Sequence, residues 1–325
     1  LRTFAAAFLA TILPVSAAGF DLQGHRGARG LAPENTLPGF AAALAVGVST
    51  LELDVGVTSD GVVVIAHDRR LNPDITRDAA GGWLEAPAPA VHSLTYAEIQ
   101  RYDVGRIRPG TEYARRYPEQ KPVDGARMPR LADLFALVGR SGNSTLRFNI
   151  ETKLSPLAPD ETLAPEPFAA ALLDVVRAAG MESRVTVQSF DWRTLLAARR
   201  LAPGVATSCL TAQQRWMNNI LADRPGGSAW VAGFQFRDHG SVPRMVKAAG
   251  CGTWSPFFGE IDAASVAEAH ALGLKVLPWT VNEPGQIGRM LDLGADGLIT
   301  DRPDLARRVM AERGMTLPAA TAVSP

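Results

Sequence analysis

The sequence predicts an α/β protein, a TIM (β/α)8 barrel with a small inserted subdomain after its third strand. Three observations predict it. Strand-like runs alternate with helix-like runs along most of the chain, the pattern of a parallel sheet. About eight such strands over ~280 residues suit a closed barrel better than an open sheet. Polar residues collect at the C-terminal ends of those strands, which in a parallel barrel all open on one face.

The elements follow in order. Residues 21–24 are a short strand running into the glycine-punctuated loop His25-Arg26-Gly27-Ala28-Arg29-Gly30. A helix starts at Pro33-Glu34-Asn35-Thr36, with Asn35 or Thr36 as N-cap, and stops at Gly47. Residues 51–55 alternate apolar and acidic, so Glu52 and Asp54 share one face of a strand. Ser59-Asp60-Gly61 is a turn, and 62–66 is a buried third strand ending at His67-Asp68. No helix fits between the second and third strands. Residues 69–129, rich in Pro, Gly and charge, read as an excursion from the main fold.

Helical periodicity resumes over 131–138. Strands are expected at 146–152, 184–190, 205–210, 274–281 and 297–300. Helices are expected at 168–179, 192–201, 242–249, 262–272, 284–293 and 303–313. The stretch 226–258 yields no strand. Residues 314–325 read as a C-terminal tail, frayed from Leu317.

The chain has 325 residues, 46% hydrophobic and 20% charged, with formal net charge +0. That balance gives no support to broad electrostatic binding of nucleic acid or anionic membrane. Residues 1–18 combine Arg2, an apolar run and Ser16-Ala17-Ala18, a secretory leader pattern cut after Ala18. The expected mature chain is therefore exported, with the periplasm as its compartment and no stable membrane insertion. Its main domain covers 19–313. Cys209 and Cys251 are either a disulfide, which export permits, or two unlinked buried thiols.

Two carboxylates on a strand built to be buried repel each other and lose hydration. Glu52 and Asp54 therefore leave two readings open: a solvated acidic edge, or a pair holding a cation. Glu151, at the end of the fourth strand, adds a third carboxylate, and the trio suits one divalent cation, Ca²⁺ or Mg²⁺. His25 and His67, at separate strand ends, suit a general acid and a general base near neutral pH. Arg26 and Lys153 would pair with those acids or with an anionic substrate such as a phosphate. Gln188, Phe190 and Trp279 lie at further strand ends, where the aromatics suit the wall of a small-molecule pocket. Asp68 reads as capping a turn, and Glu34 and Asn35 as serving a helix start. His92, His239 and His270 lack an acidic or strand-end context.

The run His25-Arg26-Gly27, Pro33-Glu34-Asn35-Thr36, Glu52-Leu53-Asp54-Val55 and His67-Asp68 resembles the glycerophosphodiester phosphodiesterases. Asn149-Ile150-Glu151-Thr152-Lys153, Gln188-Ser189-Phe190-Asp191, Trp279-Thr280-Val281-Asn282 and Asp296-Gly297-Leu298-Ile299-Thr300-Asp301 extend the match. The resemblance implies a TIM barrel with an insertion after the third strand and metal ligation by Glu52, Asp54 and Glu151. It implies acid–base roles for His25 and His67, with Arg26 and Lys153 on the phosphate. It also implies an aromatic such as Phe190 or Trp279 near a glycerol moiety. Exported members commonly use Ca²⁺, others Mg²⁺. The expected reaction converts a glycerophosphodiester to sn-glycerol 3-phosphate and an alcohol. Two rivals stand beside it. One is a phospholipase D-like or lysophospholipase D-like lipase, which needs an exposed apolar rim that is not legible in the sequence. The other is a non-catalytic periplasmic phosphodiester-binding protein.

Overall fold

The computed structural model describes residues 19–325; the proposed leader at 1–18 lies outside the described residues. Among the described residues there are nine strands: β1 (Asp21–Gly24), β2 (Thr50–Val57), β3 (Val63–Ile65), β4 (Arg147–Thr152), β5 (Val185–Ser189), β6 (Ala206–Thr211), β7 (Thr253–Pro256), β8 (Lys275–Val276) and β9 (Gly297–Thr300). All but β3 run parallel, in the order β8-β7-β6-β5-β4-β2-β1-β9. Backbone bonds from Asp296 N to Val276 O (3.0 Å) and Ile299 N to Pro278 O (2.9 Å) close the ring between β8 and β9. This is a TIM barrel, with helices packed outside the strands.

Two strand expectations need correction. β3 is not a barrel strand: it pairs antiparallel with β2, Val55 opposite Ile65, as the return arm of a hairpin. That is why no helix separates the two. The missing barrel strand is β7, whose four residues, Thr253–Pro256, carry no apolar alternation to read. β8 is also shorter than expected, because Pro278 has no N–H to continue a regular ladder. Trp279 N still bonds Pro256 O at 3.0 Å.

β2 lies between β1 and β4 and is buried along its whole length, which excludes the solvated-edge reading of its acids. Its C-terminal half rises past β1, and β3 descends beside it. The descent returns His67 to the level of Asp54, where Ala66 N bonds Asp54 O at 3.0 Å. The excursion then leaves and comes back next to β3, Ile65 N meeting Pro129 O at 2.9 Å. It has its own small core of Val64, Leu71, Ala88, Val91, Ile99, Val104 and Met128.

Helix Leu37–Val46 is capped by Thr36, whose side chain accepts from Gly39 N. Cys209 of β6 and Cys251, just before β7, form a disulfide. The tail is docked, not frayed. Thr321 N donates to Leu44 O at 2.8 Å, and Arg307 Nη1 bonds both Gly47 O and Pro318 O. Among the described residues no helix is long and apolar enough to cross a membrane.

Candidate active site

A cavity of about 940 Å³ opens at the C-terminal ends of the parallel strands. Its lining includes His25, Arg26, Glu52, His67, Glu151, Lys153, Gln188, Phe190 and Trp279. Asp54 lies just beneath and is 1% exposed. The structure thus gathers every sequence-predicted site residue at one mouth. The two halves of that mouth differ. Strands β4, β2, β1 and β9 carry charged groups, while β5 to β8 and their loops carry aromatic rings.

The acids meet because of register. Asp54 on β2 pairs with Glu151 on β4, and Glu52 sits two residues before Asp54 on the same face. One oxygen from each of Glu52, Asp54 and Glu151 lies within 4.8 Å of the others. A cation bonded to two oxygens at about 2.3–2.6 Å holds them at most ~5.2 Å apart, so the trio fits a single Ca²⁺-sized ion.

The electrostatics favour a cation there. Burial and the Asp54 charge push Glu52 well above the usual carboxylate range. Burial, opposed by Lys153, raises Glu151 to about 7. Burial also works against ionised Asp54, but His67, Lys153 and Arg26 outweigh it and hold it well below its ordinary value. Asp54 Oδ1 is buried with no hydrogen-bond partner. Lys153 Nζ sits 2.8 Å from Glu151 and 3.6 Å from Asp54, and Arg26 Nε is 3.4 Å from Asp54. Lys153 therefore does more than neutralise Glu151.

Each histidine is oriented by a carboxylate. His25 Nδ1 is 2.6 Å from Asp301 Oδ1, which also accepts from Arg29 Nε at 2.8 Å. The other Asp301 oxygen accepts from Asn282 Nδ2 at 2.7 Å. This places the proton on Nδ1 and leaves Nε2, 3.9 Å from Glu52, as the basic nitrogen. Burial and then the Arg29 charge lower His25 to about 4, against the opposing pull of Asp301. His67 Nδ1 is 2.8 Å from Asp68 Oδ1, and Asp68 Oδ2 accepts from Asn72 at 2.8 Å. Burial, Arg26 and Lys153 lower His67 as well.

Several roles differ from expectation. Asp68 orients His67 rather than only capping a turn. Glu34 does not merely serve the helix start: it accepts from Arg26 Nη1 at 2.8 Å and from the Tyr113 hydroxyl. Asn35 donates to Asp54 Oδ2 at 2.9 Å. Arg26 and Asn35 both have positive φ, 51° and 53°. Gly27 turns the same loop at φ 87°, where a Cβ would meet Gly39 backbone at 2.8 Å. His270 does have an acidic partner, Asp296 at 3.0 Å, but away from the mouth. His92 bonds Val57 O. Glu52 is held by Gln188 Nε2 at 2.7 Å and Arg26 N at 2.9 Å.

Sequence reasoning missed Asp301, Arg29 and Tyr113. Asp301 carried a signal, since it directly follows the last strand. Tyr113 comes from the excursion, in helix Glu112–Arg116, and nothing in its surroundings pointed to the site. The excursion roofs one side of the mouth: Tyr117 stacks on Arg29 at 4.6 Å, and Gln120 Nε2 bonds Arg29 O at 2.7 Å. An apolar rim, not legible in the sequence, is present in one residue, Trp216, 62% exposed.

The chain is similar to known proteins across nearly all its length. Probable glycerophosphodiester phosphodiesterase 2 of Mycobacterium tuberculosis is 30% identical over 287 residues, 87% of each chain. A Silicibacter pomeroyi crystal structure bearing a glycerophosphoryl diester phosphodiesterase name matches at TM-score 0.82 and 39% identity, covering 93% of this chain and 96% of that one. An Oleispira antarctica phosphodiesterase, solved with its product sn-glycerol-3-phosphate, shares the fold at TM-score 0.65 and 21% identity, covering 90% and 96%. The model of the glycerophosphoryl diester phosphodiesterase family matches residues 25–305, and with the barrel, the acidic trio and the two carboxylate-held histidines in one cavity, the chain belongs to that family.

Proposed function

We propose that this phosphodiesterase is an exported enzyme that hydrolyses glycerophosphodiesters to sn-glycerol 3-phosphate and a free alcohol. One observation carries the reading: two imidazoles, each fixed through Nδ1 by a carboxylate, flank a buried three-carboxylate site in one open cavity. When held by Glu52, Asp54 and Glu151, a Ca²⁺ or Mg²⁺ ion supplies positive charge to the phosphate oxygens.

Arg26 and Lys153 add cations beside that position, and Gln188 and the Arg26 backbone keep Glu52 in place. One imidazole takes, at Nε2, the proton of the attacking oxygen. That oxygen belongs to water or to the neighbouring glycerol hydroxyl, which would give a cyclic phosphate first. The other imidazole must enter the cycle as imidazolium, protonated on both nitrogens, and delivers its Nε2 proton to the departing alkoxide, returning to the neutral Nδ1–H form. A pure binding protein would need no such pair.

Export is supported by the leader pattern at 1–18 and by the Cys209–Cys251 disulfide, which suits an oxidising compartment such as the periplasm. The test is turnover of glycerophosphocholine with Ca²⁺ or Mg²⁺ against a chelated control. His25→Ala and His67→Ala should each lower kcat about 10²–10⁴-fold. Full activity in either variant, or in excess chelator, defeats the mechanism.

A further inference from the structure

The aromatic half of the mouth contains a feature that the reaction itself does not require. Trp216 lines the cavity yet is 62% exposed. It sits at the tip of a tight hairpin, closed by a bridge between Gln213 and Asn218 and by Gln214 N donating to Met217 O at 2.8 Å. The Glu260 carboxylate anchors the hairpin, accepting from Gln213 N and Gln214 Nε2, both at 2.7 Å. The exposure of this indole is therefore built into a fixed turn. It packs edge-to-face on Phe257 (5.5 Å, 81°) and Trp279 (5.9 Å, 81°).

We infer that Trp216, with Phe257 and Trp279, forms a subsite for a quaternary ammonium group on the alcohol that leaves, as in a choline ester. The inference rests on the glycerophosphodiesterase reading above. Its first ground is hydrogen bonding. Trp279 Nε1 already donates to Ser255 O at 2.9 Å, so this wall offers little to a polyol. A glycerol with two free hydroxyls can instead use the charged groups of the lining, such as Arg116 and the remaining N–H groups of Arg69. Phe190 directly follows β5, the strand adjoining β4, and can still flank that glycerol. Trp216 and Phe257 follow β6 and β7, further round the ring.

The second ground is size. Among the described residues the exposed large hydrophobics are Val123, Leu157 and Trp216, and only Trp216 lines the cavity. Among the described residues no second exposed large hydrophobic extends this wall outward, which suits a compact group. The third ground is charge. Ring faces attract a cation that brings no N–H of its own to satisfy, whereas a primary ammonium also needs hydrogen-bond acceptors, which the three rings do not supply. Arg215, beside Trp216, is exposed and does not line the cavity.

The experiment compares wild type, Trp216→Ala and Trp216→Phe on glycerophosphocholine, glycerophosphoethanolamine and glycerophosphoglycerol. Wild type should favour the choline ester. Trp216→Ala should lose about 10-fold in kcat/KM on that ester, mainly through KM, with Trp216→Phe retaining most of it and glycerophosphoglycerol little changed. Choline chloride should quench wild-type tryptophan fluorescence, and less so in Trp216→Phe. Equal losses on all three esters, no loss at all, or Trp216-dependent preference for lysophosphatidylcholine would overturn the subsite. An enzyme that cleaves none of the three overturns the hydrolase reading itself.

Discussion

Asp301 accepts from His25 Nδ1, and that bond decides which imidazole nitrogen is free to act. Asp301→Asn should keep the shape but lose the fixed tautomer, lowering kcat about 10²-fold with KM little changed. Asp301→Ala should also destabilise the fold by about 3–5 kcal/mol, since it strands the buried Arg29 charge. Steady-state kinetics and urea unfolding separate the two effects. Both imidazoles are held below the ordinary value of 6.5, His25 at about 4. Both therefore stay neutral on acidification past that value, His25 down to about 4. The acid limb of kcat/KM should fall below pH 6.5, which a pH–rate profile of wild type checks. At this scale the acids and histidines were legible because each sits beside a strand end in an apolar context. Tyr113 and Trp216 were not, because irregular loops carry no period from which to infer where a side chain points.

The β2–β3 hairpin shows how an element can mislead. Val62 to Ala66 reads as a buried strand, and its centre, Val63–Ile65, is one, but burial alone does not give direction. Parallel and antiparallel partners share the same period of two. The missing helix was the clue, and it pointed to the hairpin. The regular βα units were the opposite case, since their caps and glycine stops are local chemistry: helix Trp192–Leu201 matches its expected bounds. The disulfide belongs to this scale as well. It joins β6 to the lead-in of β7 across a separation of 42 residues, through the stretch that was hardest to read. Cys209→Ala with Cys251→Ala should lower stability by roughly 2–4 kcal/mol. Guanidinium unfolding measures that loss, and a thiol reagent should label wild type only after reduction.

For the molecule as a whole, the buried acids set a link between metal, pH and folding. Glu151 is raised from an ordinary 4.5 to about 7, so the metal-free native state holds protons that the unfolded chain releases. The Glu151 contribution to metal-free stability should therefore fall as pH rises from about 4.5 to 7, while the lowered histidines work the other way up to about 6.5. Adding Ca²⁺ or Mg²⁺ at neutral pH should reverse the loss, by about 2.7 kcal/mol at a hundred times Kd. Thermal melts at pH 5.5 and 7.5, with and without chelator, test this; identical melts in all four conditions would exclude a metal site there.

The docked tail bears on how the enzyme meets its surroundings. Its last residues lie against the end of helix Leu37–Val46, and Ser324 O accepts from Arg140 at the end of helix Leu131–Ser141. Asp21, where β1 begins, lies on that same closed floor. Both described termini therefore leave the barrel at the pole opposite the cavity. A tag, a surface linkage or a partner fused at Gly19 or after Pro325 should leave the catalytic opening facing away from it, unobstructed.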